Sequence, residues 1–143
     1  MPKRQAKYWH TSVPDAASQS GRIARKFPSF RPFKDSKGIG WIGTLSPHAG
    51  SEYKVMVRYC GTAAPKVYLM EPEVRADCPH VYPADNRLCM YWPGDFEYSK
   101  WTEDAWIADT IIPWTAVWLW YYELWLETGE WRGPEKSHTG EKK

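Results

Sequence analysis

The chain has no run approaching the roughly 18 consecutive apolar residues that span a bilayer, and its N-terminus lacks the apolar stretch of a secretory signal. A membrane-embedded protein is therefore not expected, and the reading is a soluble cytoplasmic one. Cysteine is scarce. Cys60, Cys78 and Cys89 are an odd number with no C-x-x-C pair, which argues against a disulfide framework or a zinc ribbon and for free thiols in a reducing compartment. No P-loop is present, so no nucleotide-binding fold is expected in 143 residues, and no cofactor. An excess of one charge is missing as well, since the formal net charge is +2. That ranks nucleic acid last among partners, even though basic residues gather in the first 37 positions.

What the chain does have is aromatic bulk: ten Trp and nine Tyr against four Phe. At this length one domain with one core is the default. Residues 1–26 are polar, with a possible short helix from about 16 to 24, and are expected to be a flexible basic arm. Residues 27–131 are expected to form the domain, and 132–143 a polar tail. Within the domain, residues 27–33 interleave Phe with Pro28 and Pro32, which favours an extended run along an edge.

Residues 40–45, 52–59 and 66–71 read as strands separated by turns, an antiparallel meander. The middle one alternates cleanly, with Tyr53, Val55, Val57 and Tyr59 on one face. From 72 to 101, Pro72, Pro79, Pro83, Pro93 and Gly94 break any ladder, and an irregular stretch of that length usually carries function. A helix then follows, with Thr102 as N-cap and Gly129 as C-terminal cap. Its stripe is Ile107, Ile111, Trp114, Trp118, Tyr121 and Trp125, and Pro113 is expected to kink or split it. The fold class is thus α+β.

Cys89 is the candidate nucleophile, because a thiolate both attacks carbonyl carbon and leaves readily enough to hand an acyl group to an amine. Taken alone, a cysteine between Leu88 and Met90 is more often a small buried hydrophobe. Cys78, Pro79 and His80 also leave open a metal set with Cys60, Cys89 or His138, and a Cys78–Cys89 disulfide that would silence the nucleophile. Arg87, two positions before Cys89, is either an electrostatic and substrate-binding aid or a solvated loop arginine. Tyr91 and Trp92, with Tyr98 and Trp101, either line a groove for a peptide tail or pack.

The residues that decide between these readings form a recognisable series. Pro65-Lys66-Val67-Tyr68-Leu69, then His80, then Leu88-Cys89-Met90-Tyr91, then Trp101 before a helix resembles the ubiquitin-conjugating enzymes, with Cys89 nine positions after His80. Trp41-Ile42-Gly43-Thr44-Leu45 and Leu88-Cys89-Met90-Tyr91-Trp92-Pro93 are similar to the short bacterial members of CBASS antiphage operons. So is Glu123-x-Trp125-x-x-Thr128-Gly129-x-Trp131-x-Gly133.

The resemblance, over roughly residues 27–133, implies the ubiquitin-conjugating fold with a thioester on Cys89. It also implies His80 bracing the active-site loop, and a cGAS-like nucleotidyltransferase, through its C-terminal tail, as partner. Activation of the acyl group is expected to come from elsewhere. Val81 and Tyr82 depart from the family's Pro-Asn, so the oxyanion asparagine is missing. Asn86 or a backbone N–H is a candidate replacement, and Asn86 is equally a turn residue.

Overall fold

The computed structural model describes residues 13–90 and 101–133. Four antiparallel strands form a meander in chain order: β1 (Arg31–Asp35), β2 (Gly38–Leu45), β3 (Tyr53–Arg58) and β4 (Lys66–Glu71). Helix α1 (Ala16–Lys26) precedes the sheet, and α2 (Ile111–Thr128) follows it. Register decides what the sheet buries. Trp41 pairs with Val57, Gly43 with Val55 and Leu45 with Tyr53, while Val55 and Val57 pair onward with Leu69 and Val67. All of these lie on one face, and every one is buried. The 27–33 run expected along an edge contributes the start of β1, an outermost strand, where the missing N–H of Pro32 is tolerated.

Glycine is required at Gly43 because the Phe30 ring lies against its bare backbone: a Cβ there would sit 2.2 Å from a ring carbon. Phe30 itself is buried.

The helical reading needs two corrections. The long helix does not begin after Thr102. Residues from 102 form turns and one 3-10 turn (Ile107–Asp109), and α2 starts at Ile111. Pro113 falls in the first turn of α2, where a missing N–H leaves no hydrogen bond unmade, so the expected kink or split inside a long helix gives way to a helix start. Gly129 does cap the C-terminus, at φ 81°, with its N–H donating to the Trp125 carbonyl at 2.8 Å. The buried face of α2 is Ile111, Ile112, Thr115, Trp118, Leu119, Tyr122 and Trp125, so Trp114 and Tyr121 stand on its flank.

The second correction concerns residues 16–26, expected as a possible short helix, from about 16 to 24, within a loose arm. They form α1, capped by the Asp15 carboxylate, and α1 is docked. Ile23 joins the core cluster, and Gln19 donates to the Ala105 carbonyl at 3.0 Å while accepting from the Ile107 N–H at 2.9 Å. Arg22 and Lys26 both pair with Asp109. With Ile23 as its one large apolar side chain, the helix gives little sign in the sequence that it docks.

Candidate active site

Residues 80–89 form a small hairpin. Val81 and Leu88 face each other in a bridge, the Cys89 N–H donates to the His80 carbonyl at 3.0 Å, and the Tyr82 N–H donates to the Arg87 carbonyl at 2.9 Å. The turn closes at Asn86, whose φ of 66° is left-handed and whose N–H donates to the Tyr82 carbonyl at 2.8 Å. Asparagine tolerates that conformation. The Leu88 N–H donates to the Val67 carbonyl at 2.8 Å, which fastens the hairpin to β4.

Strand alternation then sorts the side chains. Val81 and Leu88 share one face, and Leu88 belongs to the hydrophobic core. His80, Tyr82, Arg87 and Cys89 share the other. The nine-residue separation of His80 and Cys89 is therefore the length of one hairpin, which makes them backbone partners.

Cys89, the candidate nucleophile, is only 2% exposed. It is nonetheless outside the hydrophobic core cluster that contains Cys78 and Leu88. Burial pushes the thiol up to about 12, against a side-chain hydrogen bond from Tyr82 and the Arg87 charge, both of which favour the thiolate; the nearby Cys78 adds to the upward push. Cys78 is pushed up to about 11, again chiefly by burial, although the His80 N–H favours its thiolate.

Of the other candidates, His80 is 7% exposed, and its ring packs on Trp131 with centroids 4.7 Å apart. Trp131 also meets Trp118 at 5.5 Å, so the segment after Gly129 folds back along α2 and braces the His80 side of the hairpin. Gly133 permits this return, since a Cβ there would lie 2.5 Å from the Tyr121 ring. Arg87 sits 4.3 Å over the Tyr82 ring centroid and 3.6 Å from the Asp85 carboxylate. Asn86 is exposed on the turn and, with Cys78, Pro79 and Val81, lines a cavity of about 770 Å³ under the 73–83 segment. Trp101 packs against the core and donates to the Thr62 carbonyl at 3.3 Å. Tyr91, Trp92 and Tyr98 lie outside the described residues, as does His138. Among the described residues no three of His, Cys, Asp and Glu gather as metal ligands.

Tyr82 is the residue that reading the sequence overlooked. It was noted only as a departure from Pro-Asn, whereas hairpin alternation from the His80–Cys89 pairing would have aimed it at the thiol.

The sequence model of the family described as Type II CBASS E2 protein matches residues 19–139. The chain belongs to that family. Its sheet and C-terminal helix are compatible with an E2-like fold, and its membership places it in CBASS antiphage defence. The match opens inside α1, consistent with a helix built into the domain of this CBASS E2 protein. No curated protein matches the chain. No described helix is long and apolar enough to cross a membrane.

Proposed function

We propose that this CBASS E2 protein is a conjugating enzyme in which Cys89 carries the C-terminal acyl group of a protein as a thioester and transfers it to an amine. The acyl donor in this reading is the tail of a cGAS-like nucleotidyltransferase, activated elsewhere. One observation carries the reading: a hairpin pinned to the sheet turns Cys89 away from the core and onto a face shared with a phenol, an imidazole and a guanidinium. That is the company a reacting sulfur needs, because it offers donors to developing charge. The buried sulfur sets a condition. Loading requires the incoming tail to displace what covers the thiol, and binding energy from the remainder of the tail meets that cost.

The test is intact mass spectrometry of the nucleotidyltransferase from cells co-expressing Cys89→Ala or Cys89→Ser. Loss of every conjugate is expected. Conjugates persisting at wild-type level would exclude Cys89 as the nucleophile.

The burial and upward-shifted thiol favour a second reading, a binding module of the same fold that holds the partner's tail without chemistry. It requires that Cys89→Ala protect cells from phage as well as the wild type does, whereas the enzyme reading requires protection to be lost.

A further inference from the structure

We infer that the Tyr82 hydroxyl is a catalytic hydrogen-bond donor at Cys89, bonded to the thiol before loading and to the acyl oxygen during transfer. The inference rests on the acyl-transfer reading and names the group that meets the developing negative charge.

Hairpin geometry comes first. With Val81 opposite Leu88 and the flanking hydrogen bonds made by Tyr82 and Cys89, Tyr82 and Cys89 are diagonal neighbours on one face. Diagonal pairs are separated by roughly 7 to 8 Å at the backbone, a gap that a tyrosine spans and a shorter side chain does not. The ring comes near enough for the Tyr82 side chain to favour the Cys89 thiolate against the effect of burial. Arg87 lies over the same ring, 4.3 Å from its centroid, and the Asp85 carboxylate lies 3.6 Å from Arg87 in turn. The phenol is thus fixed between a cation and a sulfur. Tyr82 is only half-buried while Cys89 is 2% exposed.

Two other candidate donors on the hairpin are less well placed. Asn86 is exposed at the turn, where its backbone is committed to the left-handed conformation. The Cys89 N–H is already donated to the His80 carbonyl.

The chemistry follows from the position. An amine attacks the carbonyl carbon of the Cys89 thioester, a C–N bond forms, and the electron pair of the C=O bond moves to oxygen. That oxygen is attached one atom beyond the sulfur already bonded to Tyr82, within reach of the same O–H. When the oxyanion collapses the C–S bond breaks, the pair leaves on sulfur, and the proton lost by nitrogen restores the thiol. The products are an amide and free Cys89. A phenol is a neutral donor, so it stabilises both the oxyanion and the departing thiolate and keeps its own proton throughout.

The experiment uses Tyr82→Phe, which keeps the ring under Arg87 and removes one oxygen. Two rates are followed at Cys89 by peptide mass spectrometry, which separates it from Cys60 and Cys78. One is alkylation by iodoacetamide; the other is discharge onto free lysine after loading from a glycine-terminated peptide thioester. Alkylation is expected to slow several-fold, because the thiolate loses a donor, and discharge to fall about tenfold or more. Circular dichroism is expected to be unchanged. Equal alkylation rates in the two proteins overturn the thiol contact, and slowed alkylation with equal discharge overturns the catalytic role. A wild-type Cys89 that never takes up the acyl group defeats the acyl-transfer reading itself, while the alkylation pair still reports the contact by itself.

Discussion

Leu88 and Cys89 are adjacent, equally buried at 2% exposure, and on opposite faces of one hairpin. Leu88 faces the core cluster with Val67, Leu69 and the α2 side chains; Cys89 faces Tyr82, His80 and Arg87. The difference shows that burial alone does not assign a cysteine to structure. A leucine lost from its side leaves a hole among apolar atoms, whereas the sulfur is embedded among groups that respond to charge.

Truncating each in turn is the strongest way to break that contrast. Leu88→Ala is expected to cost about 2 to 5 kcal/mol, the range for a buried leucine whose cavity cannot collapse. Cys89→Ala is expected to cost about 1 kcal/mol, because fewer atoms are removed. Urea unfolding of the two variants measures both. Similar losses for the two would mean that Cys89 packs as core and that the two faces are not distinct.

A smaller effect is expected where the hairpin is braced from behind. Gly133→Ala places a Cβ 2.5 Å from the Tyr121 ring and pushes out the segment that lays Trp131 on His80. Overpacking in a closed interior costs about 1 to 3 kcal/mol, and a chain segment beyond the helix relieves it by peeling away, so about 1 kcal/mol is expected. The informative readout is Cys89 alkylation, which should speed up as the His80 side of the hairpin loosens. An unchanged rate would detach the Trp131 segment from the site.

Much of this architecture was legible in the residues. Tyr53, Val55 and Val57 alternate at period two, so β3 and its partners could be read without coordinates, and Gly129 marks the end of α2 by a conformation few other residues accept. The start of α2 was not legible, because Glu103 and Asp104 after Thr102 imitate a first turn and only the position of Pro113 favours a later one. Helix α1 was legible as a short helix from about 16 to 24, but its docking was not, since Gln19, its second anchor, is polar and works by satisfying backbone groups eighty-odd residues away.

Site residues divide the same way. Cys89 and His80 stand out in the sequence by type and spacing, and the hairpin that pairs their backbones supplies the reason for the spacing. Arg87 was legible as a nearby charge, although its place over the Tyr82 ring was not. Asn86 had two readings, and the structure gives its backbone the turn. Tyr82 was hidden because a tyrosine beside prolines in an irregular stretch has no period of its own until the hairpin register is known.

The finest distinction between the two faces is electrical. Both Cys89 and Cys78 titrate above their ordinary value of 9, at about 12 and about 11, because burial disfavours their thiolates. A group whose folded pKa is raised supports the fold fully below its unfolded pKa and loses that support as pH rises toward the folded one, so the window opens near pH 9 and closes near 11 to 12. At pH 9 the unfolded thiol is half ionised and the folded one is not, a difference of about 0.4 kcal/mol per thiol. Melting temperatures at pH 7.5 to 9.5, about the ordinary thiol range, are therefore expected to fall with rising pH, and to fall less in Cys89→Ser, which removes one of the two thiols. Parallel curves for the two proteins would mean that Cys89 ionises as readily folded as unfolded. In that case Tyr82 and Arg87 would offset burial in full, and the resting thiol would ionise as an exposed one does without waiting for the tail to uncover it.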